Sequence, residues 1–132
     1  MTMPKKIMIL EDDEATAELI RFYLQEEGFE TAVSSKGAGF ADKVAEYQPD
    51  LITLDVLLPD TDGFSVFRTL QQDERISNIP VIFISVLEKQ KEKGIKMGAR
   101  GYVVKPFKED ELKKAIKSAF EKEKWDEKDP YR

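Results

Sequence analysis

Four short apolar runs punctuate the chain: Ile7-Met8-Ile9-Leu10, Leu51-Ile52-Thr53-Leu54, Val81-Ile82-Phe83-Ile84 and Tyr102-Val103-Val104. They are near-continuous rather than alternating, which is the pattern of strands covered on both faces, as in a parallel sheet. A weaker run over 29–33 alternates more and predicts an edge strand. Helical spacing fills the gaps. Leu19, Ile20, Tyr23 and Leu24 form one stripe, ended by Gly28; Ala41, Val44 and Ala45 form a second, ended before Pro49; Val66, Phe67 and Leu70 form a third. The segment 88–97 predicts a weak helix, lysine-rich, with Gly94 inside and Gly98 at its end. Leu112, Ala115, Ile116, Ala119 and Phe120 make the best stripe, with Glu109, Asp110 and Glu111 in the first turn, where carboxylates favour the helix dipole.

A strand–helix unit repeated five times predicts an α/β fold: an open, five-stranded parallel sheet with helices on both faces and right-handed crossovers. The 132 residues suffice for one domain with one buried core. We expect that domain over 1–122, with the almost wholly charged 123–132 as a tail or the start of a linker. Charged residues make up 36%, the net charge is −5 and the isoelectric point is about 4.9. Such a surface repels phosphate backbones, so direct nucleic-acid binding is not expected. The chain has neither cysteine nor histidine, which excludes disulfides, thiolate nucleophiles, Ser-His-Asp chemistry, histidine-ligated zinc and a phosphohistidine on this chain. No apolar run approaches the length of a signal peptide or a membrane span, and we expect a cytoplasmic protein without membrane contact.

The polar residues fall at telling places. Each of Glu11-Asp12-Asp13, Asp55, Ser85 and Lys105-Pro106 follows directly on an apolar run. In doubly wound sheets, ligands bind beyond the carboxyl ends of the strands, where strand order reverses. If the order is 2-1-3-4-5, Glu11, Asp12 and Asp55 converge on one small volume. Like charges ~4 Å apart repel by roughly 4 kcal/mol at an effective dielectric of ~20. Protonation or a bound cation relieves this. All-oxygen ligands select a hard ion, and few carboxylates beside a phosphate partner suit Mg²⁺. Lys105 supplies a positive charge for a phosphoryl oxygen, and Ser85 a hydroxyl donor. A carboxylate nucleophile, a divalent metal, a lysine and a hydroxyl are the equipment for phosphoryl transfer to an aspartate.

These residues resemble the receiver domain of two-component response regulators, the CheY-like family. The resemblance covers Lys6 to about Phe120. It rests on Glu11-Asp12, on the stretch Leu54-Asp55-Val56-Leu57-Leu58-Pro59-Asp60-Thr61-Asp62-Gly63, on Ser85, and on Tyr102-Val103-Val104-Lys105-Pro106-Phe107. It implies the flavodoxin-like order 2-1-3-4-5, with Asp55 accepting a phosphoryl group from a phosphohistidine on a sensor histidine kinase or phosphotransfer protein. Asp12, Asp55 and the backbone carbonyl of Leu57 would bind Mg²⁺, with Glu11 acting through water. Lys105 and the Val86 backbone N–H would hold the phosphoryl oxygens, and the Lys105–Pro106 bond would be cis. Ser85 would move to the phosphoryl group and Tyr102 would swing inward, rearranging the face of helix 4, strand 5 and helix 5 that partners read. Val86 replaces a small residue, and its bulk is expected to narrow the path of Tyr102 and of small phosphodonors. Leu57 and Leu87, two positions beyond Asp55 and Ser85, cannot hold an attacking water, so slow loss of the phosphoryl group is expected. Asp60 stands where the family often has glycine.

Other positions carry plainer readings. Asp13 suits an N-cap, and Asp62-Gly63 a turn without chemistry. Lys89, Lys91, Lys93 and Lys96 read as a solvated helix face or a docking patch. Trp125 could anchor a partner or fold back on helix 5. The expected function is a switch acting by binding, not an enzyme on external substrates. A haloacid-dehalogenase-type phosphatase would need an aspartate at position 57, and a flavin carrier a phosphate loop where Glu11-Asp12-Asp13 stands. A pseudo-receiver that only scaffolds is the alternative. The output partner or domain is open, and pairing of two phosphorylated copies is a possible outcome of the switch.

Overall fold

The computed structural model describes residues 3–128, with side chains through Glu121. Element order is β1 (Lys6–Leu10), α1 (Glu14–Glu26), β2 (Glu30–Ser34), α2 (Phe40–Tyr47), β3 (Leu51–Leu54), α3 (Gly63–Gln72), β4 (Val81–Ser85), α4 (Lys91–Met97), β5 (Gly101–Val104) and α5 (Glu109–Lys128). All pairings are parallel and the sheet order is β2-β1-β3-β4-β5, so β2 is an edge strand.

Alternation along the strands sorts the core into two layers. Ile7, Ile9, Leu51, Ile82, Ile84 and Val103 face α1 and α5, meeting Ile20, Leu24, Leu112, Ile116 and Ala119. Met8, Leu10, Ile52, Leu54, Val81 and Phe83 face α2 and α3, meeting Phe40, Val44, Phe64, Phe67 and Leu70. Both faces being covered, the strands read as continuous apolar runs. The α1 stripe is rotated from expectation: Ala17, Ile20 and Leu24 are buried, while Leu19 is largely exposed.

Helix starts are set by short carboxylates. Asp13 accepts the Thr16 N–H at 3.0 Å ahead of α1, and Asp62 accepts the Ser65 N–H at 3.0 Å ahead of α3. The helix expected over 88–97 divides into a 3₁₀ turn, Glu88–Gln90, and the short α4, which begins without a side-chain cap. Gly94 sits inside α4 for a packing reason. A Cβ there would lie 3.0 Å from Phe83 Cδ2 and 3.2 Å from Tyr102 Cδ2.

Candidate functional site

The first and third strands are extended one residue by sheet-like bonds, and this brings the acids together. Glu11 N–H donates to Ser34 C=O at 3.0 Å, and Asp55 N–H to Leu10 C=O at 3.0 Å. Glu11 and Asp55 are thereby buried at the carboxyl edge of neighbouring strands, and Asp12 stands beside them, exposed. One carboxylate oxygen from each of the three lies within 4.8 Å of the others. Directly after β5, and ahead of a cis Lys105–Pro106 bond, Lys105 reaches into the group. Its Nζ donates to Glu11 Oε1 at 2.6 Å and to Asp55 Oδ2 at 2.8 Å. The second oxygens are engaged by backbone: Asp13 N–H donates to Glu11 Oε2 at 3.1 Å and Leu57 N–H to Asp55 Oδ1 at 3.2 Å.

One ammonium against three carboxylates leaves a deficit of positive charge. Burial, reinforced by the charge of Asp55, pushes the Glu11 carboxyl above its ordinary value even though Lys105 and the Asp13 N–H draw it down. Burial disfavours the Lys105 ammonium, but its bonds to Asp55 and Glu11 outweigh that and raise its pKa. A donor set made wholly of oxygen, short of positive charge and open to solvent at Asp12, fits a hard divalent ion such as Mg²⁺.

Ser85 is fully buried at the end of β4, and its Oγ accepts the Leu87 N–H at 3.3 Å. Val86 is 54% exposed at the rim and Leu57 52% exposed. Tyr102 is inside: its ring centroid lies 5.9 Å from that of Phe83, and its hydroxyl donates to the Leu87 carbonyl. Burial raises the pKa of this phenol. Val86 lies at the surface, and the Tyr102 ring packs where Gly94 carries no side chain.

A profile described as the response regulator receiver domain matches residues 7–117. The chain belongs to the response regulator receiver domain family. Receiver domains of this kind are signalling switches of two-component systems rather than enzymes on external substrates. The transcriptional regulatory protein GltR of Pseudomonas aeruginosa is 34% identical over 116 residues, covering 86% of this chain and 48% of that protein. The DNA-binding response regulator MtrA of Mycolicibacterium smegmatis is 37% identical over 113 residues, covering 84% and 48%. The chain thus spans about half the length of these relatives. Among solved structures, a putative response regulator from Chloroflexus aurantiacus superposes with a TM-score of 0.84 at 26% identity, covering 90% of this chain and 99% of that one. The receiver domain of sensor histidine kinase PA1611 from Pseudomonas aeruginosa, solved with a magnesium ion in its active-site cleft, shares the fold with a TM-score of 0.80 at 24% identity, covering 90% and 99%.

All the receiver-domain positions singled out in the sequence lie at this one edge of the sheet, with Tyr102 inside beneath it. Asp60 was not assigned a partner by sequence reasoning, and its carboxylate binds the backbone of Gly37 and Ala38. Nothing in the pattern signals this, since the donors are main-chain groups 23 and 22 residues away. The α4 lysines divide: Lys93 stands over the Phe64 ring at 4.4 Å from its centroid, and Lys96 pairs with Glu92 at 2.8 Å, while Lys89 and Lys91 are exposed. The Trp125 side chain and residues 129–132 lie outside the described residues. Among the described residues no helix is long and apolar enough to cross a membrane.

Proposed function

We propose that this receiver domain is a phosphorylation-controlled switch of the cytoplasm, with Asp55 as its phosphoryl acceptor. The observation that carries this is the Lys105 ammonium bridging Glu11 and Asp55 at hydrogen-bond distance, beside Asp12, at the carboxyl edge of the sheet. The donor is a phosphohistidine of a sensor histidine kinase or phosphotransfer protein, as the family suggests, and the lack of histidine in this chain fits a donor on another protein. An Asp55 carboxylate oxygen attacks phosphorus. The P–N bond breaks, and its electron pair stays on the imidazole nitrogen, which takes up a proton.

Positioning and charge neutralisation supply most of such catalysis. Asp12, Asp55 and the Leu57 carbonyl would hold Mg²⁺, with Glu11 acting through water. Bound there, the ion neutralises charge on the transferring group. Lys105 and the Val86 N–H face the phosphoryl oxygens, and Ser85 Oγ exchanges its bond from Leu87 for one to the group. The loop 85–87 shifts with it. Tyr102, tied to the Leu87 carbonyl, transmits that shift to the surface of α4, β5 and α5, where the output partner, or a second copy, binds. The domain itself is expected over 1–122.

Incubation with Mg²⁺ and acyl phosphate, or with a phosphorylated kinase domain, is expected to add one phosphoryl group by intact-mass spectrometry. The Asp55→Asn variant is expected to add none. A wild-type chain left unmodified by both donors, or an Asp55→Asn variant modified as readily, overturns the assignment.

A further inference from the structure

The loop 55–63 is closed at its base by the antiparallel bridge between Leu57 and Asp62 and by the Gly63 N–H donating to Val56 C=O at 2.7 Å. Its tip is attached elsewhere. Asp60 Oδ1 accepts the Gly37 N–H at 2.9 Å and Oδ2 the Ala38 N–H at 2.8 Å, so both oxygens are committed to the loop that leads into α2. That helix begins at Gly39 without a side-chain cap of its own. The two loops meet closely: a Cβ on Gly37 would fall 2.4 Å from Thr61 Cγ2 and 3.0 Å from Val66 Cγ2. The N–H groups hold the carboxyl below its ordinary range, and bonds to an ionised acceptor are stronger than neutral ones. A groove of about 300 Å³ opens between α2 and α3 beside this contact, with Phe40, Asp60, Thr61 and Leu70 in its lining.

We propose that Asp60 is a positioning residue for the metal site. By holding the tip of its loop on the N-terminal approach to α2, it fixes the backbone at Leu57 relative to Asp12 and Asp55. The inference rests on reading Glu11, Asp12 and Asp55 as a magnesium site. Asp60 touches neither the ion nor the phosphoryl group and acts through the loop it anchors. Linkage makes the effect reciprocal, so magnesium at the acids tightens the contact at Gly37 and Ala38.

Magnesium titrations of the wild type, Asp60→Ala and Asp60→Asn, read as the rise in melting temperature, separate positioning from mere stability. Asp60→Ala is expected to raise the magnesium Kd roughly three- to tenfold, the range that one or two hydrogen bonds control. Asp60→Asn, which keeps one acceptor oxygen, falls between. A role confined to stability lowers the metal-free melting temperature and leaves the Kd unchanged, which overturns the proposal. Should Asp60→Ala not fold, the wild-type amide resonances decide. Gly37 and Ala38 are expected to shift as magnesium saturates, and if they stay fixed while those of Asp12 and Leu57 move, the proposal fails. A wild type that binds no magnesium overturns the metal reading and this inference together. Equal binding by all three chains overturns this inference alone.

Discussion

With Asp55 phosphorylated as proposed, Leu57, half-exposed two positions on, would put an aliphatic side chain where water approaches phosphorus. It can neither orient that water nor take its proton. Leu57→Asn is therefore expected to shorten the lifetime of the phosphorylated form roughly tenfold or more, since a positioned polar group contributes on that scale. Decay of the phosphorylated mass with time checks it. Thr53 makes a different case. It is buried among the aliphatic side chains facing α1 and α5, and its Oγ1 has no hydrogen-bond partner among the described residues. Thr53→Val keeps the shape and removes the stranded hydroxyl, so denaturant unfolding is expected to show a gain of about 1 kcal/mol. At this scale Asp12, Asp55, Ser85 and Lys105 were legible because each interrupts or ends an apolar run. The resemblance implies an inward Tyr102 as a response of the switch; that the ring is already inside, seated by the missing side chain at Gly94 and the carbonyl at Leu87, leaves no trace in the pattern.

The elements differ in how they are held. Strands and α5 are tied by apolar burial, which leaves a periodic trace in the sequence. α2 is held by both kinds of contact: Phe40 and Val44 are buried in the core, while Asp60 binds its approach, Arg75 reaches Asp42 at 3.0 Å, and Lys43 Nζ donates to Ser34 Oγ at 3.3 Å. The polar contacts have no period and leave no trace in the sequence, whereas the apolar stripe Ala41, Val44 and Ala45 does. The pH dependence of the Asp60 contact has a definite sign. The Asp60 carboxyl titrates lower in the folded chain than in the unfolded one, because the Gly37 and Ala38 N–H groups favour the charged form. Its contribution is full above the ordinary carboxylate range and disappears as pH falls through the lowered value. The melting-temperature gap between wild type and Asp60→Asn is expected to be widest near neutral pH and to close on acidification. A gap that stays constant to strongly acid pH contradicts it.

For the whole molecule, the strand order follows from pattern alone only as far as an open parallel sheet; the order itself came from the resemblance, and the register confirms it. The charge deficit at the acids predicts that a divalent ion stabilises the entire fold. Magnesium at 100 times its Kd is expected to add ~2.7 kcal/mol, on the order of 8 °C in melting temperature for a domain of this size, with EDTA reversing it. Asp12→Ala is expected to lose that response while melting no lower without metal, because it removes a ligand and a like charge together.

With all five strands running the same way, Glu11, Asp12, Asp55 and Lys105 gather at one lip of the sheet, and the amino ends of the strands form the other. The exposed turn at Ser77 and Asn78, ahead of β4, stands a strand's length away, roughly 16 Å. A fluorophore or affinity handle grafted there would report on the molecule as a spectator, tumbling with the domain and standing clear of the acids at the far lip.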